Sequence, residues 1–316
     1  MMKLWSRKKA VDLAGDGQQG EESQDIGLGA NLELTHVGPY EILAPIGKGG
    51  FGTVYKAIDR AKDQTVAIKV LSREYDLDRK RRKRDYLGRE ILIASALRHE
   101  CVIRYQKDII EQEDVEGHVR RCLIMEFIDG NDLRYYIKER VLTIQQMINI
   151  WTRLCHGLDF LHQKQIVHRD VTPGNFLFSR DLSKVKICDF GLSKSTASWR
   201  TRWIREGGGT RPYMSPEQIT NKGKGLDARS DIFSFGIVMY ELLAGRHPCE
   251  GKDAKEIMRQ LRSKKYKFKP PSKYNSAVPS PVDRIVLKAL RRNADRRYQS
   301  ITEMLLDLTR YTESRI

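Results

Sequence analysis

The sequence predicts an α+β chain: a small sheet with one main helix, then a larger, mainly helical part. Three observations predict it. Short β-type runs joined by glycines fill the stretch from Tyr40 to Leu71. A capping-box pattern, Thr143 to Gln146, opens a long amphipathic run. Further on, "DIFSFGIVMYELLAG", residues 231–245, is apolar almost all round, as a helix at the centre of a lobe should be.

The elements follow in order. Residues 1–37 are polar and Gly-rich with no sustained period, and read as an N-terminal tail. "YEILAPIGKG", "GTVYKAID" and "QTVAIKVLS" read as strands. A charged helix ending in "REILIASAL" follows, then a strand at "RCLIMEFID". These make a small part over about 38–127, and the helical part runs over about 128–312. In the helix after Thr143, Met147, Trp151, Leu154, Leu158 and Leu161 step by four and three along one face. Ile301, Met304, Leu305 and Leu308 repeat that step near the end.

The chain has 316 residues, 40% of them hydrophobic, enough for one large or two smaller packed lobes. No apolar run approaches the roughly 18 residues of a membrane span, and the N-terminus lacks the apolar stretch of a signal peptide. The cysteines, Cys101, Cys122, Cys155, Cys188 and Cys249, lack metal-type spacing and read as reduced thiols of a cytoplasmic chain. A net charge of +16 favours acidic or phosphorylated partners.

The chemistry-bearing residues come in a fixed order. "GKGGFGTV" places Gly47, Gly49 and Gly52 in G-x-G-x-x-G spacing, where bare backbone amides can approach phosphates closely. It leads into a strand rather than a helix, which disfavours a dinucleotide-binding loop. Lys69, flanked by Val66, Ala67, Ile68 and Val70, is expected to point into a cleft and neutralise phosphate oxygens, held by Glu90. Asp170 in "HRDVTPGN" is the candidate base or orienter for an attacking hydroxyl. Asn175, and Asp189 in "CDFG", offer hard oxygen ligands for Mg²⁺. Phosphoryl transfer needs positioning and charge neutralisation, which such a set provides.

With these residues, about 38–312 of the chain resembles the eukaryotic-like serine/threonine protein kinases, and its phrasing is similar to the bacterial branch. The resemblance implies a two-lobed protein kinase fold, with a small antiparallel-sheet lobe and a larger mainly helical lobe. It implies ATP, with Mg²⁺ or Mn²⁺, and transfer to Ser or Thr of protein substrates, with autophosphorylation. By the same matching, Met125 is the gatekeeper, the backbones of Glu126 and Ile128 meet adenine, and Ile46, Val54, Ala67 and Leu177 sandwich its ring. Thr210 matches the threonine of Ser/Thr specificity. Asp231 matches the buried Asp that holds the catalytic loop, and Arg297 the arginine that pairs with Glu217. Many members of the bacterial branch carry a membrane span after the kinase domain; with the chain ending at Ile316, the expectation is a soluble member or a fragment.

One position departs from the pattern. The lysine usual two residues after the catalytic Asp is Thr172 here. The expectation is an active kinase with a weakened γ-phosphate clamp; the alternative is a nucleotide-binding pseudokinase scaffold. Outside the site, "RKRRKR", Arg79–Arg84, is either a solvated face or a dock for an acidic or phosphorylated partner; with no aromatic interleaving, nucleic acid is disfavoured. Trp199 and Trp203 are set to dock on a partner, on the helix bearing Glu90 or on the large lobe. Glu206 is expected to pair with Arg169 in place of a phosphate. Nothing in the sequence fixes the oligomeric state.

Overall fold

The computed structural model describes residues 34–49, 52–72, 86–190, 213–220 and 225–314, with side chains from Ile91 onward in the first helix. The small lobe is a six-stranded antiparallel sheet in the order β1-β2-β3-β4-β6-β5. Its strands are β1 His36–Val37, β2 Tyr40–Gly49, β3 Gly52–Asp59, β4 Gln64–Leu71, β5 Tyr105–Glu113 and β6 Val119–Glu126. The first strand lies just ahead of the expected boundary at residue 38. β3 buries alternate residues, Tyr55, Ala57 and Asp59, as a strand with one core face does. β4 is central and is buried from Val66 to Leu71. Helix α1, Tyr86–Ala96, packs on β5.

Beyond Glu126 the chain turns helical: α2 Leu133–Glu139, α3 Ile144–Gln163, α4 Pro216–Thr220, α5 Ala228–Ala244, α6 Ala254–Arg262, α7 Ser280–Ala289 and α8 Ile301–Glu313. A second, three-stranded sheet, β7 Gly130–Asp132, β8 Phe176–Ser179 and β9 Val185–Ile187, is bridged through Ile187 to Val102, just ahead of β5. The capping box forms: Gln146 N–H donates to Thr143 Oγ1, and Thr143 N–H to Gln146 Oε1. The apolar face of α3 is buried through Met147, Trp151, Leu154, Leu158 and Leu161. Helix α5 is buried from Ser230 to Ala244, and ends where Gly245 takes a left-handed φ of 67° and donates to Glu241 O.

A buried ion pair ties this lobe together. The Arg297 side chain is fully buried, and its guanidinium donates to both carboxylate oxygens of Glu217 at 2.7 and 2.8 Å. Its remaining N–H groups donate to the carbonyls of Arg229, Arg291 and Arg292. Burial alone would push the Glu217 carboxyl up, but the Arg297 hydrogen bonds and charge hold it below the usual range.

Candidate active site

Strand register builds the roof of the cleft. Val54 pairs with Lys69, and Ala67 with Met125, so neighbouring strands bring these side chains together. Between Pro45 and Gly47 the β2–β3 register slips, and Ile46 is the extra residue, 45% exposed. Gly52 has a φ of 140°, and a Cβ there would collide with the Val70 carbonyl, so the fold itself demands glycine. Gly47 and Gly49 differ: among the described residues a Cβ on Gly49 would meet nothing within 4 Å, and one on Gly47 only Val54 at 3.9 Å. Among the described residues, then, packing asks for glycine at Gly52 but not at Gly47 or Gly49.

Lys69 is 5% exposed, and its Nζ donates to Asp189 Oδ2 at 2.7 Å. The side chain of Glu90, its expected partner, lies outside the described residues. Asp189 takes a left-handed φ of 59°, and its N–H donates to the Tyr105 hydroxyl at 3.3 Å. Phe190 packs edge-on against Tyr105 and His168, with ring centroids 5.9 and 6.5 Å away. Asn175 turns its Nδ2 to the Asp170 carbonyl at 2.7 Å and to Asp170 Oδ2 at 3.1 Å. That leaves Asn175 Oδ1 and Asp189 Oδ1 without a hydrogen bond among the described residues. Two hard oxygens suit a Mg²⁺ ion that takes its other ligands from phosphates and water.

The floor is hung from Asp231, 1% exposed at the start of α5. Its Oδ2 accepts the His168 N–H at 2.7 Å, its Oδ1 the Arg169 N–H at 2.8 Å, and His162 Nε2 lies 2.8 Å from Oδ2. Arg169 is thereby held at a φ of 69°, uncommon for a residue with a side chain. Gln218 on α4 donates to the Arg169 carbonyl at 2.8 Å. Arg169 Nε is buried without a partner among the described residues. Its expected partner Glu206 lies outside them, as do Thr210, Trp199, Trp203 and Arg79–Arg84. Burial pushes the Asp170 carboxyl above the ordinary range and Asp189 adds to this, while His168, Asn175 and Lys69 oppose it.

At the connection between lobes, Glu126 N–H donates to the Arg104 carbonyl at 3.0 Å. The Ile128 N–H has no acceptor among the described residues. The Glu126 carboxylate is fixed by Lys186 Nζ at 2.9 Å and by the Arg104 N–H at 2.8 Å. Leu177 on β8 is half-buried and packs against the core. Thr172 is half-buried and makes no side-chain cap on the short turn at Pro173–Asn175. Arg134 stands over Gly174 in this loop, its guanidinium 3.4 Å from where a Cβ would sit, and is paired with Asp132.

Sequence reasoning missed Tyr105, Gln218 and Lys186. Tyr105 lies on β5, a strand too polar to register as one. Gln218 follows Glu217 directly, but nothing in its neighbourhood marks it as a support of the catalytic loop.

A two-lobed molecule with a glycine loop over a Lys–Asp pair, above a loop presenting Asp and Asn, belongs to the class built to handle nucleotide phosphates. The comparisons narrow the class. The protein kinase domain family matches residues 40–307. The chain belongs to that family, within its bacterial branch of eukaryotic-like serine/threonine kinases. It is 33% identical over 273 residues to serine/threonine-protein kinase PrkC of Bacillus subtilis, covering 86% of this chain and 40% of that one. It is 35% identical over 278 residues to serine/threonine-protein kinase PknB of Mycolicibacterium smegmatis, covering 87% and 43%. The chain therefore spans well under half the length of these relatives. Among solved structures, the PknI kinase domain of Mycobacterium tuberculosis matches with a TM-score of 0.64 and 22% identity, over 89% of this chain and 99% of that one. Rad53 in complex with AMP-PNP matches with a TM-score of 0.66 and 25% identity, over 84% and 64%. Among the described residues no helix is long and apolar enough to cross a membrane.

Proposed function

We propose that the chain transfers the γ-phosphoryl group of ATP to Ser or Thr hydroxyls of proteins, its own included. The observation that carries this reading is the convergence of Lys69, Asp170, Asn175 and Asp189 on one cleft. Lys69 neutralises phosphate oxygens. Asp170, oriented by Asn175, accepts the hydrogen bond of the incoming hydroxyl and then its proton. Asn175 and Asp189 are the residues that would hold Mg²⁺, or Mn²⁺. A bound cation would offset the charge on the phosphates and help orient them. Ile46, Val54, Ala67 and Leu177 enclose the adenine, with Met125 behind it and the backbones of Glu126 and Ile128 along its edge. Thr210 selects Ser/Thr acceptors. Five buried cysteines, with no disulfide among the described residues, support a reducing, cytoplasmic setting.

Thr172 sets the level of activity. Loss of a charged donor at a transferring phosphate costs about 2.7–4 kcal/mol by analogy with oxyanion sites. That slows transfer by roughly a hundred- to a thousandfold where nothing compensates. The test is incubation with labelled ATP and Mg²⁺, alone and with a generic basic protein, with modified residues mapped by mass spectrometry. Transfer that disappears in Asp170→Asn and in Lys69→Met supports the reading. ATP binding without transfer by the wild type would replace it with the scaffold alternative.

A further inference from the structure

Residues 257–282 carry Arg259, Arg262, Lys264, Lys265, Lys267, Lys269 and Lys273 and no carboxylate. All these cations are exposed. The carboxylates at the borders are engaged: Asp283 is buried and accepts the Ser272 N–H, Glu256 pairs with Arg259, and Glu250 pairs with Arg246. From Lys264 to Lys273, no ion pair offsets the charge among the described residues.

The local structure gives this charge a pattern. After α6 the chain runs through Tyr266 to Pro270 without regular structure. Tyr266 and Phe268 turn inward: the Tyr266 hydroxyl donates to the Pro248 carbonyl, and Phe268 packs edge-on against buried Phe233 beneath the Arg292 guanidinium. Lys265 is exposed on the turn that the Tyr266 N–H closes onto the Ser263 carbonyl, and Lys267 and Lys269 are exposed on either side of Phe268, the Lys269 Nζ lying 6.0 Å from the centre of the Tyr274 ring. The backbone N–H groups of Lys267, Phe268 and Lys269 meet no acceptor among the described residues. Helix α6, which feeds this segment, packs on α4, the helix whose Gln218 holds the catalytic loop.

We propose that Lys265–Lys269 is a docking surface for an extended acidic segment of a protein substrate. The partner carries carboxylates or phosphates on alternate residues and lies alongside the unpaired backbone. The inward rings leave no platform for stacking bases and no apolar anchor for a bilayer, which favours a protein segment over nucleic acid or membrane. The word substrate rests on the kinase reading; the surface itself does not.

The experiment measures binding of a short fluorescein-labelled peptide, Glu alternating with Ala, by anisotropy at low salt. The full chain is compared with its Lys265→Gln/Lys267→Gln/Lys269→Gln variant. Each exposed pair is worth little, so the triple change should weaken binding by about threefold to a hundredfold. Added salt should erase most of the difference. A Ser acceptor peptide extended by the same acidic segment should show a higher KM on the triple variant, with kcat unchanged. Equal peptide affinity in the two proteins overturns the proposal. So does loss of binding to RNA or to phosphatidylserine vesicles in the triple variant without any peptide binding by the wild type. Salt-sensitive peptide binding in a chain that transfers no phosphate supports the surface and counts against the kinase reading alone.

Discussion

Replacing Asp231 by Asn tests how the catalytic loop is held. The carboxylate accepts the N–H groups of His168 and Arg169 on separate oxygens, and His162 Nε2 lies against one of them. Asparagine has one acceptor oxygen, so its NH₂ must face one of these donors. The change removes at least one hydrogen bond to a charged group and leaves a buried N–H unpaired, a cost of roughly 1.5–3 kcal/mol. At about 2–4 °C per kcal/mol, the midpoint of thermal unfolding should fall by roughly 3–12 °C. Activity should fall further than stability. Arg169 is held at a φ of 69°, next to Asp170; when one anchor goes, it relaxes and carries Asp170 with it. A displacement of about 1 Å at a reacting group can cost about a hundredfold. Thermal unfolding followed by circular dichroism, with single-turnover phosphoryl transfer on the same samples, reads both quantities. His162→Leu, which touches only the third contact, should lose less rate. A folded Asp231→Asn protein with wild-type melting and rate would refute the argument.

Gly49→Ala should leave melting unchanged, since its Cβ meets nothing within 4 Å among the described residues, and on the proposed reading should weaken binding of a fluorescent ATP analogue; Gly52→Ala should destabilise by about 1 kcal/mol or more, from its positive φ and the Val70 carbonyl. Glu217→Ala strands the buried Arg297 charge and should cost about 3–5 kcal/mol in denaturant unfolding. Because the folded Glu217 pKa is lowered from 4.5, that contribution is present above 4.5 and is lost as pH falls through the folded value; the gap between wild type and a Glu217→Gln variant should close on acidification. The acid limb of kcat/KM should lie above the ordinary Asp value of 3.8, since burial raises Asp170 and transfer needs its carboxylate; a limb at or below 3.8 would show that another group sets it. Thr172→Lys should hold or raise the single-turnover rate by restoring charge beside the γ-phosphate, and a large loss in a folded variant would contradict the weakened-clamp account.

Much of the fold was legible because its strongest elements carry strong signals. The capping box at Thr143, the stepped face of α3 and the apolar α5 are long enough for periodicity to speak. β5 was not legible: "YQKDIIEQE" sits at the sheet edge and buries little beyond Tyr105, so its outward residues are polar and mask the alternation. β7, β8 and β9 are three to four residues each, too short for a period to emerge. The candidate site was legible as a set of residue types in order, since phosphate handling needs glycine, lysine and carboxylates whatever holds them.

Asp231 apart, which the resemblance already assigned to the catalytic loop, the sequence could not show how those residues are brought to bear, because that depends on backbone angles and on partners remote along the chain. Arg169 and Asp189 both occupy left-handed conformations, rare for Arg and less so for Asp. Each is held from outside its own segment: Arg169 by Asp231 and Gln218, Asp189 by the Tyr105 hydroxyl and Lys69. The supports come from both lobes. Tyr105 and Lys69 belong to the small sheet, Asp231 and Gln218 to the helical lobe. Asp189 therefore meets Lys69 only while the lobes keep this spacing, and the geometry of the site reports their separation. Small changes at the connection, where Lys186 and the Arg104 N–H fix Glu126, should then reach the phosphate-handling groups without touching any of them. Lys186→Met, which frees the Glu126 carboxylate, should alter ATP affinity and transfer rate together, whereas a purely local role for that pair would leave both unchanged.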